Sequence, residues 1–127
     1  MPLARISLRR GKSAEYRKAV LDNVYLAVRE TFDVPDGDRF MTISEHDADD
    51  FSYGADYLGM VRSDDLVIIQ LTVSDTRGVE QKKALYRRVA ERLGENPGIR
   101  PDDVFVNLVE VAKENWSFGR GLAQYAN

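Results

Sequence analysis

Hydrophobic and polar positions along the 127-residue chain change period in a regular order. Ala4, Ile6 and Leu8 alternate with Leu3, Arg5 and Ser7. That two-residue period predicts a half-buried strand with one apolar face. From Ala14 to Phe32 the period lengthens. Tyr16, Val20, Val24, Ala27 and Thr31 recur at three- and four-residue spacing, which predicts a helix with Ser13 as its N-cap. A turn, Val34-Pro35-Asp36-Gly37-Asp38, precedes a second strand over Phe40–Glu45. The order then recurs. Ile69, Leu71 and Val73 alternate with Ile68, Gln70 and Thr72. A second helix is expected over Val79–Leu93, with Gln81, Leu85, Val89 and Leu93 in register and Gly94 and Pro97 stopping it. The turn Ile99-Arg100-Pro101-Asp102-Asp103 leads into a strand over Val104–Val109.

The recurrence is visible in the residues themselves. A shift of 65 lays residues 2–46 over 67–111 without gaps. It superposes Glu15 on Glu80, Lys18 on Lys83, Val24 on Val89, Asp38 on Asp103, Phe40 on Phe105 and Glu45 on Glu110. Each copy reads strand, helix, strand, and a crossover helix of this length implies parallel strands within a copy. The expected fold is α+β: a duplicated β-α-β unit forming one domain, a four-stranded mixed sheet with two helices on one face. The other face carries Arg5, Gln70 and Thr72 among apolar residues, a mixture that suits contact with other subunits better than free solvent. Residues 47–65 fall outside the repeat and read as an acidic loop with a short strand near Tyr57–Met60. Residues 112–127 form a tail with Trp116, Phe118 and Tyr125 around Gly119-Arg120-Gly121.

Composition narrows the chemistry. Without cysteine, the chain has no disulfide, thiolate nucleophile or zinc-thiolate site. Its 18 basic and 21 acidic residues are intermixed and net charge is −3, so no basic surface for nucleic acid is expected. The longest apolar run, Leu66–Ile69, is far too short to span a membrane. No apolar signal segment opens the chain, which leads to the expectation of a cytoplasmic enzyme. His46 stands alone, so a histidine-based metal site is not expected. Asp47, Asp49 and Asp50 lack the glycine and terminal glutamate of a calcium-binding loop. Gly119-Arg120-Gly121 lacks the strand-before-helix setting of a phosphate cradle.

Met1-Pro2 opening the first strand of a doubled β-α-β unit resembles the tautomerase superfamily, which includes 4-oxalocrotonate tautomerase and macrophage migration inhibitory factor. Asp102-Asp103-Val104 and the tail Asn115-Trp116-Ser117-Phe118-Gly119-Arg120-Gly121 are similar to the malonate semialdehyde decarboxylase family. Phe32, Val34-Pro35, Asp38-Arg39 and Glu80-Gln81-Lys82 add to that resemblance, which covers nearly the whole chain. It implies a homotrimer with active sites near the subunit interfaces, a small carboxylate substrate, and no metal or organic cofactor. It also implies a catalytic proline at Pro2, freed by loss of Met1, a water-activating aspartate at Asp38, and a carboxylate-binding arginine at Arg77. The family's other arginine falls on Asp75, a charge reversal within the substrate-binding set, for which Arg62 and Arg120 are candidate replacements. The hydrophobic wall falls on Trp116, Phe118 and Tyr125.

Those residue types suit the chemistry. A terminal secondary amine is a base when burial or nearby cations lower its pKa, an acid when it stays protonated, and a nucleophile towards an aldehyde. A guanidinium binds a carboxylate through two parallel hydrogen bonds. An aromatic wall excludes water and strengthens charge interactions. The expected activity is that of a cofactor-independent decarboxylase acting on short oxo-acids. A keto-enol tautomerase of the phenylenolpyruvate type, a hydratase or dehalogenase, and a non-catalytic trimeric binding protein are the alternatives.

Overall fold

Ser13 starts the first helix as its sequence suggests: its hydroxyl accepts the Tyr16 backbone N–H at 3.1 Å. The computed structural model describes residues 2–126. β1 (Leu3–Arg9) leads into α1 (Ala14–Phe32), and β2 (Phe40–His46) follows. β3 (Val67–Ser74), α2 (Val79–Glu95) and β4 (Val104–Val111) repeat the order. The sheet runs β2-β1-β3-β4. β1 pairs with β2 and β3 with β4 in parallel, while β1 and β3 meet antiparallel at the centre. The protein is thus an α+β fold with a four-stranded mixed sheet.

The core lies between the sheet and the two helices. Ala4 and Ile6 of β1 and Val67, Ile69, Leu71 and Val73 of β3 pack against Val20, Val24, Ala27, Val28 and Phe32 of α1 and Leu85, Val89 and Leu93 of α2. The α1 stripe differs from the expected one in its last turn. Val28 and Phe32 are buried there, whereas Thr31 turns aside and donates its hydroxyl to the Ala27 carbonyl at 2.8 Å. α2 runs two residues beyond the expected end, because a glycine such as Gly94 costs a helix only about 1 kcal/mol and does not stop it by itself. The chain leaves the helix through Gly98 and Ile99, whose N–H groups both donate to the Leu93 carbonyl, at 3.0 and 2.8 Å.

Residues 47–65 hold no strand. Tyr57–Gly59 form one turn of 3-10 helix with Leu58 at φ 58°, so the expected strand near Tyr57–Met60 is corrected to a tight turn. The left-handed Leu58 bends the segment back on itself, which an extended strand does not allow. The loop is held instead by the repeat's second aspartate. Asp103 is fully buried and accepts the Ser63 backbone N–H at 2.7 Å and the Ser63 hydroxyl at 2.6 Å. Among the described residues no helix is long and apolar enough to cross a membrane.

The sheet face away from the helices is uncovered. Phe40, Phe105 and Val109 are exposed on it beside Arg5, Thr42, Gln70 and Asn107.

Candidate active site

The carbonyl end of α1 sets the position of the first cation. A helix leaves its last carbonyls without internal donors, at the negative end of its dipole. Two side chains from the second repeat satisfy them: Gln81 donates to the Thr31 carbonyl at 2.9 Å and Arg77 to the Phe32 carbonyl at 2.9 Å. The Arg77 guanidinium also lies 4.8 Å from the centre of the Phe32 ring. Capping and stacking fix Arg77 while using one of its five N–H groups, so the rest of the fork is left for a ligand.

The aspartate comes from the turn after α1. Asp33 ends the helix in the left-handed conformation, φ 54°. Gly37 takes φ +85°, which an L side chain adopts only with strain. Tyr25 braces this turn, its hydroxyl donating to Asp36 and accepting the Gly37 N–H, both at 3.1 Å. Arg39 lies over the Tyr25 ring at 4.7 Å and pairs with Asp22 at 2.6 Å. Asp38 is left pointing inward. Both of its carboxylate oxygens are buried and neither has a hydrogen-bond partner among the described residues. Burial pushes its pKa up, and the positive amino terminus and Arg77 oppose that shift.

Asp38 and Pro2 each line one of two neighbouring openings. The first, a cavity of about 480 Å³, is lined by Pro35, Asp38, Ser74, Thr76, Arg77, Lys113, Gln124 and Tyr125. The second, about 260 Å³, is lined by Pro2, Leu3, Phe40, Trp116, Ser117 and Phe118. A narrow buried cleft between α1 and the sheet has both Pro2 and Asp38 on its walls. Pro2 is itself buried.

The tail supplies the aromatic wall. Trp116 donates its indole N–H to the Ser74 hydroxyl at 3.1 Å, which ties the tail to the end of β3. Its ring stacks on Phe118 at 5.6 Å, Phe118 meets Tyr125 edge-on at 4.8 Å, and Phe40 lies 6.2 Å from Phe118. Gln124 closes the tail on itself, accepting from Phe118 N–H at 3.0 Å and donating to the Gly119 carbonyl at 3.1 Å. Burial raises the Tyr125 phenol pKa; the negative charge of Asp38 adds to that, and Arg77 opposes it.

Pro2, Asp38, Arg77, Trp116, Phe118 and Tyr125 are therefore gathered at one end of the sheet. Asp75 is exposed in the turn after β3 and does not line either cavity. Neither candidate replacement cation lies there. Arg62 donates to the Asp102 carbonyl at 3.1 Å, on the far side of the sheet, and Arg120 is exposed in the tail. Ser74, Thr76, Gln124 and Lys113 line the site without having been singled out from sequence. Lys113 had one usable signal: parallel pairing of the last two strands brings the residue after β4 beside the turn after β3. His46 lies half-buried beside Phe51, with its ring centre 5.8 Å away, outside both cavities. Asp47 pairs with Arg10 at 2.8 Å. Among the described residues no three His, Asp or Glu side chains cluster as metal ligands.

Two family models, both described as tautomerase enzyme, match residues 2–60 and 38–119. The probable tautomerase YusQ of Bacillus subtilis (strain 168) is 38% identical over 124 residues, covering 98% of each chain. The probable tautomerase YrdN of the same organism is 38% identical over 125 residues, covering 98% of this chain and 96% of its own. Malonate semialdehyde decarboxylase, solved in wild-type, mutant and inactivated forms, is 36% identical with a TM-score of 0.91, covering 97% of this chain and 95% of that one. The FG41 malonate semialdehyde decarboxylase inhibited by 3-bromopropiolate is 36% identical with a TM-score of 0.92, over 97% and 93%. A fused 4-OT symmetric trimer, 22% identical, shares the fold at a TM-score of 0.80. With matches of this identity along nearly its whole length, the chain belongs to the tautomerase superfamily of enzymes.

Proposed function

We propose that the protein is a cofactor-independent decarboxylase of short 3-oxo acids, working through Pro2, Asp38 and Arg77. The observation that carries the reading is the Asp38 carboxylate, which has no hydrogen-bond partner among the described residues and lines both the cleft shared with Pro2 and the Arg77 cavity. A buried carboxylate without donors costs stability and persists where function requires it. Loss of Met1 makes the Pro2 nitrogen a terminal secondary amine beside that carboxylate.

In this reading Arg77 binds the substrate carboxylate. The carbonyl carbon faces Pro2, which either hydrogen-bonds the carbonyl oxygen as an ammonium or condenses with an aldehyde to an iminium, releasing water. The bond to the carboxylate carbon then breaks and carbon dioxide leaves. Its electron pair passes into a carbon–carbon double bond, and the negative charge moves to the carbonyl oxygen or is neutralised on the iminium nitrogen. Protonation of the terminal carbon follows; on the iminium route this turns the enamine back into an iminium, which water activated by Asp38 hydrolyses to release the aldehyde and the Pro2 amine. Trp116, Phe118 and Tyr125 keep bulk water from the enolate. The active protein is a homotrimer, in which the open sheet face carrying Phe40 and Phe105 meets its neighbours.

Keto-enol tautomerisation is the second reading, with Pro2 as base. It is favoured by the single arginine at the cavity, since proton transfer between carbon and oxygen requires only one carboxylate anchor. The test is turnover by protein whose mass shows Met1 removed, with malonate semialdehyde and phenylenolpyruvate run in parallel and Pro2→Ala as control. Carbon dioxide release that falls by at least about a hundredfold in Pro2→Ala supports the decarboxylase. Ketonisation alone supports the second reading, and turnover that survives Pro2→Ala overturns both.

A further inference from the structure

All five lysines are placed in the structure, and four of them have a carboxylate partner: Lys12 with Asp65, Lys18 with Asp22, Lys82 with Glu110 and Lys83 with Glu80. The fifth, Lys113, has no carboxylate within ion-pair distance among the described residues. It is also the lysine that lines the main cavity, together with Arg77, Asp38 and Thr76.

Its placement follows from the sheet. β3 and β4 pair in parallel with Ser74 opposite Val111, and the Asp75 N–H donates to the Val111 carbonyl at 3.0 Å. The chain next makes a 3-10 turn, Lys113–Asn115, closed by the Asn115 N–H on the Ala112 carbonyl at 3.0 Å. Beyond it Trp116 returns to the Ser74 hydroxyl at 3.1 Å. The turn is therefore tied to the end of β3 on both sides, and Lys113 is held where Thr76 and Arg77 begin. Arg77 is itself fixed by the Phe32 carbonyl. Two cations, one from the second repeat and one from the tail, thus converge on one opening whose other ionisable groups are the Asp38 carboxylate and the Tyr125 phenol.

We propose that Lys113 is the second cation of the substrate site and binds the carboxylate of the oxo-acid alongside Arg77. This rests on the oxo-acid reading above and extends it to the residue that stands in for an arginine at position 75. Arg77 supplies the directed fork, and Lys113 supplies a point charge on a flexible stem. A contact made equally in the ground and transition states changes KM and leaves kcat alone.

The test compares wild type, Lys113→Met and Lys113→Arg for turnover of the oxo-acid substrate and for calorimetric binding of malonate as an unreactive carboxylate. Lys83→Met, an exposed lysine paired on α2, controls for lost net charge. The expected result is a KM and a malonate Kd each raised about tenfold in Lys113→Met, the size of one charge-assisted hydrogen bond, with kcat kept within about threefold. Lys113→Arg restores both, and Lys83→Met alters neither. An unchanged KM and malonate Kd in Lys113→Met, while wild type turns over, overturns the Lys113 assignment and leaves the oxo-acid reading standing. A wild type that neither turns over an oxo-acid nor binds malonate overturns both.

Discussion

Asp38 and Asp103 occupy the same position in the two repeats and have opposite surroundings. Asp103 is buried and satisfied by the Ser63 N–H and hydroxyl, so it holds the 47–65 loop on the sheet. Asp38 has both oxygens buried and without a hydrogen-bond partner among the described residues. The stability consequences have opposite sign. Removing a buried carboxylate that receives two hydrogen bonds strands its donors, so Asp103→Ala is expected to lower unfolding free energy by about 3 kcal/mol in a urea titration. Asp38→Asn is expected to raise it by roughly 1 kcal/mol at neutral pH while abolishing turnover, because it removes a desolvated charge. The pH dependence checks the cause. A carboxyl whose folded pKa lies above its unfolded value subtracts stability when ionised, and the penalty fades as pH falls through the raised value. The gain from Asp38→Asn should therefore be full at neutral pH and vanish towards about pH 3.9. A gain that persists below that pH would assign it to something other than charge burial.

The two helices meet edge to edge, and one carboxylate joins them. Glu30 of α1 receives hydrogen bonds from Arg88 and Arg92 of α2, and together they hold its pKa at about 2. A folded pKa below the usual 4.5 gives stability that is complete above that value and lost as pH falls towards 2. The cluster is solvent-accessible, so Glu30→Gln is expected to cost less than about 1 kcal/mol at neutral pH. The cost should shrink in 1 M salt, where charges a few ångströms apart are screened. An undiminished cost in salt would trace it to packing. At this scale the sequence was largely readable. Periodicity located both helices and all four strands, because each has one face in the core. The short strand expected near Tyr57–Met60 is a tight turn, because Leu58 takes a left-handed conformation that no periodicity marks. Two of the missed site residues share a cause. Lys113 and Gln124 sit in irregular segments after β4, and nothing periodic marks them. Their relevance comes from a pairing 37 residues away in sequence, that of Ser74 with Val111.

The uncovered sheet face is the feature that a single chain leaves unexplained. Its Phe40 and Phe105 rings are 49% and 45% exposed, in matching places of the two repeats at diagonally opposite corners of the face, and Val109 is exposed on the same edge strand as Phe105. Large apolar side chains left exposed at both edges of an uncovered sheet face mark an interface. Phe40 also lies against Phe118 and forms part of the Pro2 opening, so whatever covers this face closes the aromatic side of the site. Association and activity are therefore expected to be coupled. Native mass by light scattering should be about three times the 14.4 kDa chain. Phe105→Glu places a charge in that interface at the repeat position that does not line the Pro2 opening. It should yield monomers with circular dichroism close to wild type, because Phe105 contributes nothing to the buried core. Turnover should fall with the trimer fraction and recover at protein concentrations high enough to restore it. Full activity in the monomer would place the complete site within one chain, and the open face would then have a role apart from the chemistry.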